Sequence, residues 1–502
     1  MTNVPIASGA SQPPVPDLLR RVGAELSQDF SANRPTAVGR APGRLDVMGG
    51  IADYTGSLVC EMPLDRAAAV AAQRRDDGVV QVFSFNLLDD HQPFTLRVPL
   101  EALAGTPINQ LRADLAEPGR RWAGYLVGVL AVLHDEGAID LRRALPGGVS
   151  LAVLSSVPLG AGVSSSAAIE VATAFAVLRL LGEAVGEAAL RLGDRSGEAL
   201  AGVEGTQAAM RIAALCQRVE NQVVGAPCGI MDQVTSCYGR EGQLLKLLCQ
   251  PHEVQGFARL PEGMRVIGLN SKIRHSVGGG MYGRTRCAAF MAHAMILDKM
   301  RQMGQHAGRE LTGDPLRGYL ANLDVDDYKH YFRPYLPELI RGEAFIRQYG
   351  KTIDPVSVVD PGTDYHVQSA ADHHVQEARR VRQFVEFLTE AGDVPASDSQ
   401  ARRDLLNKAG HLMYASHKSY GDKALLGAEG CDLLVDLVRQ NERHGLYGAK
   451  ITGGGSGGTV AVLCETGSRT DAAIASIVTE YERQTGHRAE VFAGSSAGAW
   501  WG

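Results

Sequence analysis

Arg44, Asp53, Glu220 and Asp232, with two glycine-rich runs, are the residues whose types and spacing suit chemistry. The most specific run spans 155–172, SSVPLGAGVSSSAAIEVA. An apolar stretch leads into Pro158-Leu159-Gly160-Ala161-Gly162. Ser164, Ser165 and Ser166 then open an alanine-rich segment of helical character. Such a turn suits an anion, because Gly160 and Gly162 let the backbone approach a phosphate closely while free N–H groups at a helix start point towards it. The serine hydroxyls can add hydrogen bonds or a magnesium contact. The competing reading is a plain serine cap after a tight turn. The run lacks the GK[ST] ending of a Walker loop and the GxGxxG spacing of a dinucleotide fold.

A second cluster, Gly453-Gly454-Gly455-Ser456-Gly457-Gly458, precedes an apolar strand. Its alternatives are close approach to a ligand or another loop, and a flexible linker. The segment 39–56 places Arg44, Asp46 and Asp53 among glycines. Arg44 suits stabilisation of developing negative charge, and Asp53 suits holding hydroxyl groups; otherwise Arg44 is an exposed cation and 53–56 a surface turn. Asp232 follows a Pro/Gly loop, as a general base, an orienting anion or a helix cap. Glu220 reads as a magnesium ligand or as an ordinary helix glutamate.

The chain has 502 residues, 45% of them hydrophobic, enough for two or three cores. A net charge of −6 argues against a nucleic-acid-binding surface and leaves room for a polyanion held locally. Glycine is in excess at 58 residues, without a collagen-like period. Eight scattered cysteines, with no CxxC pair, fit reduced thiols in a cytoplasmic protein. No stretch of ~18 apolar residues suggests a membrane span. The N-terminus lacks the basic and apolar regions of a secretory signal.

These residues need elements to hold them. A loose tail is expected over 1–17 and a helix over 18–30. Strands are expected at 36–38, 57–62, 67–73, 79–86, 95–98 and 149–154, with helices at 121–135, 164–181 and 198–224. The pattern resets near 251–261, dividing the chain at 18–258 and 259–502. The second half is expected to hold a strand at 264–269, helices at 282–303, 316–323, 373–390, 402–417, 431–444 and 471–485, and strands at 459–463 and 489–492. This mixture predicts a two-domain α+β protein. His373-His374, with His366 nearby, is expected on a solvated helix face beside Arg379 and Arg380. Arg284 and Arg286 are either phosphate contacts or exposed. The stretch 302–350 has no assignable chemistry.

In order and spacing, the four segments resemble the GHMP small-molecule kinases, from about Arg40 to Val462. Within that family the likeness is to the sugar-1-kinases of the L-arabinokinase and galactokinase types. It lies in Gly43-Arg44-Leu45-Asp46-Val47-Met48-Gly49-Gly50-Ile51-Ala52-Asp53-Tyr54, in Asn270-Ser271-Lys272-Ile273-Arg274-His275-Ser276 followed by Tyr282, in Arg341-Gly342-Glu343-Ala344-Phe345, and in 447–459. The resemblance implies a first domain like domain 2 of a ribosomal protein S5, a ferredoxin-like second domain, and an active site between them. It implies ATP, Mg2+ and a small sugar as ligands, and transfer of phosphate to the anomeric hydroxyl. Asp232 would accept or orient the hydroxyl proton, and Arg44 would stabilise the phosphoryl group. Pro158 to Ser166, with Gly160, Ala161, Gly162, Ser164 and Ser165, would cradle the phosphates; Ser166 and Glu220 would hold Mg2+. Asp46, Gly50, Asp53 and Tyr282 would bind sugar, with Gly453, Gly454, Gly455 and Gly457 in the third motif. A non-catalytic sugar or nucleotide sensor on the same fold is the rival.

Galactokinases carry a Glu-His pair where this chain has Gly50-Ile51. That pair meets the exocyclic O6 region of galactose, which L-arabinopyranose lacks. The expected preference is therefore L-arabinose over D-galactose, shifting towards galactose on Gly50→Glu with Ile51→His.

Overall fold

A computed structural model describes residues 12–182, 202–273, 280–395 and 397–501. Arg274, His275 and Ser276 of the resemblance, residues 1–11 of the expected tail, and 198–201 of the expected helix lie outside the described residues.

Two sheets organise the chain. The first contains eight strands: β1 (Ala37–Met48), β2 (Leu58–Arg74), β3 (Val79–Ser84), β4 (Thr95–Pro99), β5 (Gly148–Ser155), β6 (Gln243–Leu248), β7 (Glu253–Arg259) and β14 (Trp500–Trp501). The main path is β14-β1-β2-β5-β3-β4, with β6 and β7 branching from β2; only β3 and β5 run parallel. The second sheet, β11-β12-β8-β13, consists of β8 (Met264–Asn270), β11 (Leu446–Ile451), β12 (Thr459–Glu465) and β13 (Glu490–Phe492). Between β8 and β11 in sequence lies a ribbon of β9 (Ile340–Arg341) and β10 (Asp364–Tyr365). In the second domain, strands separated by helices give the βαββαβ order and antiparallel 4-1-3-2 arrangement of a ferredoxin-like unit. The α+β expectation holds.

The longer helices used below are α1 (Val15–Glu25), α2 (Gly124–Asp135), α3 (Ser165–Leu181), α4 (Gly202–Arg218), α5 (Met231–Tyr238), α6 (Met281–His306), α7 (Val367–Asp393), α8 (Ser399–Asp422), α9 (Glu429–Gln440) and α10 (Ser468–Thr485). α3 is apolar on most faces because it is buried from Ala167 to Leu178 apart from Ile169. It lies directly on β1: a Cβ at Gly39 would come within 2.1 Å of the Ala172 carbonyl oxygen. Glycine lets helix and strand backbones touch there.

Several expected boundaries change. α1 begins at Val15, inside the expected tail, and Val15 is buried. The stretch from Arg40 to Met48, outside every expected element, is strand and entirely buried. Expected strands 57–62 and 67–73 are one 17-residue strand, β2. Residues 316–323 form only a 3-10 turn, Leu320–Asn322, and β6, β7 and β11 were not anticipated. At the end of the chain β14 pairs with β1 of the first sheet. The 259–502 division does not foresee this return.

Candidate active site

β1 carries the first group of functional side chains. Its pairing with β2 is interrupted between Pro42 and Arg44, and again between Asp46 and Met48. Such bulges re-aim side chains. At the first, the Arg44 backbone N–H donates to the Val163 carbonyl at 3.1 Å, fixing the strand to the glycine loop. Its guanidinium then spans three partners. Nε and Nη2 donate to Asp232 Oδ1 at 3.0 and 2.6 Å, Nη1 donates to the Gly162 carbonyl at 2.7 Å, and Nε is 3.2 Å from Glu61 Oε2. Burial opposes the charge on Arg44, but Asp232, Glu61 and Asp46 outweigh it and raise its pKa. The exposed-cation alternative is thereby excluded.

Asp232 lies in the first turn of α5, yet its side chain does not cap the helix; Arg44 takes it instead. Its side chain keeps 20% exposure against 3% for Arg44, so it retains an open face for a ligand. Asp53 is also buried, in the 3-10 turn Gly50–Thr55, rather than on a surface turn. Burial, then the charge of Asp232, push its carboxyl up to about 7. Gly229 permits the approach, since a Cβ there would fall 1.6 Å from Asp53 Oδ2.

The phosphate-type loop has the expected conformation. Gly160 and Gly162 have φ of 69° and 72°, and Ser164 adopts a left-handed φ of 60°. No side chain caps α3, and Ser164 Oγ is buried without a partner. The serine-cap alternative fails, and the first-turn amides keep their donor capacity. Pro158 and Ala161 frame this turn; Ser165 and Ser166 begin the helix.

Glu220, in a π-turn following α4, accepts a hydrogen bond from Gln233 at 2.8 Å. Gln233 also donates to Glu170, unforeseen from sequence, at 3.3 Å. Burial and then Asp232 raise the Glu220 carboxyl to about 7, with Ser166, Cys228 and Gln233 partly opposing. Burial and then Glu220 hold Glu170 well above the carboxylate range. Neither carboxylate has an ion-pair partner among the described residues. With the Ser166 hydroxyl beside Glu220, this oxygen-rich, uncompensated pair fits a hard divalent cation.

The third glycine motif meets the other two. Gly458 approaches Ala161: a Cβ would be 2.3 Å from the Ala161 carbonyl, to which Thr459 Oγ1 donates at 2.8 Å. Gly453 faces the Gly162 carbonyl and the Arg44 guanidinium, Gly454 faces the Tyr282 ring, and Gly455 packs on Leu426. Gly457 has φ of 127°. The loop-against-loop alternative is realised, and the linker alternative is not.

Some assignments change. The Asp46 carboxylate and the Gly50 N–H are already paired within the protein. Asp46 Oδ2 takes Lys450 Nζ at 2.6 Å and the Gly453 N–H at 3.2 Å, while Oδ1 takes the Gly50 N–H at 2.9 Å. Asp46 is therefore a joint between domains. Arg286 is neither a phosphate contact nor exposed: Asp354 receives Nε and Nη2, each at 2.8 Å, and the guanidinium lies over Tyr54. Arg284 is exposed. His373 and His374 are fully buried rather than solvated, because α7 packs against the 3-10 turn Gly50–Thr55. His374 Nε2 is 3.0 Å from Tyr54 Oη, and His373 Nδ1 is 2.9 Å from Ser419 Oγ. Tyr282 stands edge-on to Tyr54 at 5.9 Å. Glu61, Glu170, Lys450 and Tyr420 were missed because nothing near them in sequence marks their partners. All eight cysteines are free. Among the described residues no helix is long and apolar enough to cross a membrane, and no group of three or more metal-binding side chains gathers.

Known proteins resemble this chain in sequence and fold. The GHMP kinases N terminal domain matches residues 125–210, the GHMP kinases C terminal domain matches 400–483, and a galactokinase galactose-binding signature matches 24–74. An L-arabinokinase of Arabidopsis thaliana is 36% identical over 94% of this chain; the chain spans 46% of that protein's length. A galactokinase of Streptomyces coelicolor is 30% identical, with 88% of each chain covered. Among solved structures, Lactococcus lactis galactokinase complexed with galactose superposes with a TM-score of 0.69 at 19% identity, covering 96% of this chain and 99% of that one. The Methanococcus jannaschii mevalonate kinase gives 0.51 at 14%, covering 93% and 99%. At those identities the likeness is one of fold.

Proposed function

The chain belongs to the GHMP kinase family, and on that premise we propose that it transfers the terminal phosphoryl group of ATP to the anomeric hydroxyl of L-arabinose, giving L-arabinose 1-phosphate. The observation that carries phosphoryl transfer is the Arg44–Asp232 pair at the mouth of the glycine loop. Asp232 orients or accepts the hydroxyl proton. Arg44, whose charge is secured by three carboxylates, neutralises charge developing on the transferred group. The loop from Pro158 to Ser166 supplies backbone donors to the phosphates. Ser166 and Glu220 would hold Mg2+, which when bound neutralises charge on the phosphate oxygens. Asp53 and Tyr282 receive the sugar.

The choice of sugar rests on Gly50-Ile51. Ile51 is buried and apolar, and its N–H is already given to Tyr420. An exocyclic hydroxymethyl beside it lacks a polar partner, a cost of ~1–3 kcal/mol. L-Arabinose has no such group. The 36% identity to an L-arabinokinase supports the same choice.

ADP release across a sugar panel with ATP and Mg2+ tests this, with Asp232→Ala as control. The expected result is turnover with a higher kcat/KM for L-arabinose than for D-galactose. A preference for galactose overturns the sugar, and binding without turnover makes the protein a sensor.

A further inference from the structure

Tyr420 reaches from α8 into the turn that carries Gly50 and Ile51. It is fully buried. Its hydroxyl accepts from the Ile51 N–H at 2.9 Å and donates to the Gly453 carbonyl at 2.9 Å, joining the 39–56 segment to the 453–458 loop. The ring is fixed on two sides: His373 stands edge-on at 5.0 Å, and Lys450 Nζ lies 5.2 Å from the ring centroid. The decisive relationship is with Gly50. A Cβ at Gly50 would fall 1.6 Å from Tyr420 Oη, 2.8 Å from Cζ and 2.9 Å from Asp46 Oδ2. No side chain fits at position 50 while Tyr420 stays in place.

We propose that Tyr420 is a positioning residue that sets the sugar preference. It occupies the room that a side chain at position 50 would need. It also commits its hydroxyl to backbone groups, so that neither it nor residue 50 can meet an exocyclic hydroxymethyl. The pocket thereby suits a pentopyranose. This rests on the reading above, in which Gly50 and Ile51 border the sugar. It also changes the expected route to a galactose-preferring variant: Gly50→Glu with Ile51→His does not suffice, because the new glutamate collides with the Tyr420 hydroxyl. The phenol must be shortened in the same protein.

The test is a double-mutant cycle of Gly50→Glu, Tyr420→Leu and both together. It reads thermal unfolding, kcat/KM for L-arabinose and D-galactose, and KM for ATP. Gly50→Glu alone is expected to lower the unfolding temperature and to lose at least tenfold in kcat/KM on both sugars. Adding Tyr420→Leu is expected to restore part of the unfolding temperature, the φ of +48° at residue 50 and the nearby Asp46 leaving the rest, and to raise the galactose-to-arabinose ratio at least tenfold over the parent. The ATP KM of the double variant should stay within about threefold of the parent, which a merely structural lesion would not give. Tyr420→Phe keeps the ring and is the conservative control; it should leave the sugar ratio low. The proposal is overturned if Gly50→Glu is tolerated beside Tyr420, or if the double variant is no better folded than Gly50→Glu. An unmoved sugar ratio in a well-folded double variant overturns it too. A parent enzyme that prefers galactose defeats the L-arabinose reading instead, and the unfolding cycle still decides whether residues 50 and 420 compete for one space.

Discussion

Arg44 Nη2 donates to Asp232 Oδ1 at 2.6 Å while Nη1 of the same guanidinium holds the Gly162 carbonyl at 2.7 Å. One side chain thus ties the proposed proton acceptor to the phosphate-type loop, and the two ends of the pair should respond differently to mutation. Asp232→Asn leaves Arg44 beside Glu61. It should lower kcat by roughly 10²–10⁴-fold, the range for a general base, with little change in unfolding temperature. Arg44→Met removes the donor shared by Asp232 and the Gly162 carbonyl, beside a Glu61 carboxyl that burial already holds well above the carboxylate range. It should cost about 1–3 kcal/mol of stability as well as activity. Calorimetry beside steady-state kinetics checks both; equal stability losses would count against the division of roles.

Lys450 and Asp46 form an ion pair between β11 and β1 in which both side chains are fully buried. Lys450→Met strands the carboxylate, although two backbone N–H groups still reach it. The expected loss is about 3–5 kcal/mol, read by denaturant unfolding. Asp46→Asn with Lys450→Met should recover part of it.

Asp53 and Glu220 each carry a carboxyl raised to about 7. In both, burial comes first and the Asp232 charge second. A raised folded pKa means that the folded chain keeps protons the unfolded chain gives up. Stability should therefore fall as pH rises from about 4 to about 7 and level off above that. Excess Mg2+ should remove the share of Glu220, and Asp53→Asn that of Asp53. If ionised Asp53 receives a sugar hydroxyl, kcat/KM for the sugar should climb between pH 6 and 8, with a midpoint near 7. Asp53→Asn should flatten this rise and lower the plateau at least tenfold. A parent profile flat over that range would contradict the assignment.

Gly458 has φ of +88°, and a Cβ there would sit 2.3 Å from the Ala161 carbonyl oxygen. Gly458→Ala must push the phosphate-type loop away from the third motif. The KM for ATP should rise roughly tenfold or more with a smaller change in the sugar KM, which initial-rate kinetics in both substrates would show. Gly160 is open: its φ is +69°, but no atom lies within 4 Å of where a Cβ would sit. Gly160→Ala should therefore show a strain effect without that collision.

Much of this site was legible where its requirement is local. Gly160 and Gly162 announce positive φ within a few residues of a helix start, and the structure has both. Asp53 and Tyr54 likewise share one short turn. What sequence reading lost were burial and distant pairing. His373 and His374 sit among arginines, which suggests a solvated face, yet both pack inward, His374 against the turn carrying Tyr54 and Thr55 and His373 against Ser419 and Tyr420. Arg286 looked free because its partner Asp354 lies 68 residues away. Arg40–Met48 fell in no expected element, with a proline and a glycine inside it, although bulges allow that strand to run between β14 and β2.

By itself, then, the amino-acid sequence determined the α+β class, the order of the glycine motifs and the residue types able to bind phosphate and move a proton. Those follow from backbone requirements met by neighbours in the chain. Tertiary structure alone decided which charges neutralise one another and which glycines are needed for space. Arg44 meets Asp232 across 188 positions, Ile51 meets Tyr420 across 369, and Asp46 meets Lys450 across 404. The reason is physical: a buried charge or N–H must find a partner, and only packing within and between the two domains determines which distant residue is close enough to serve.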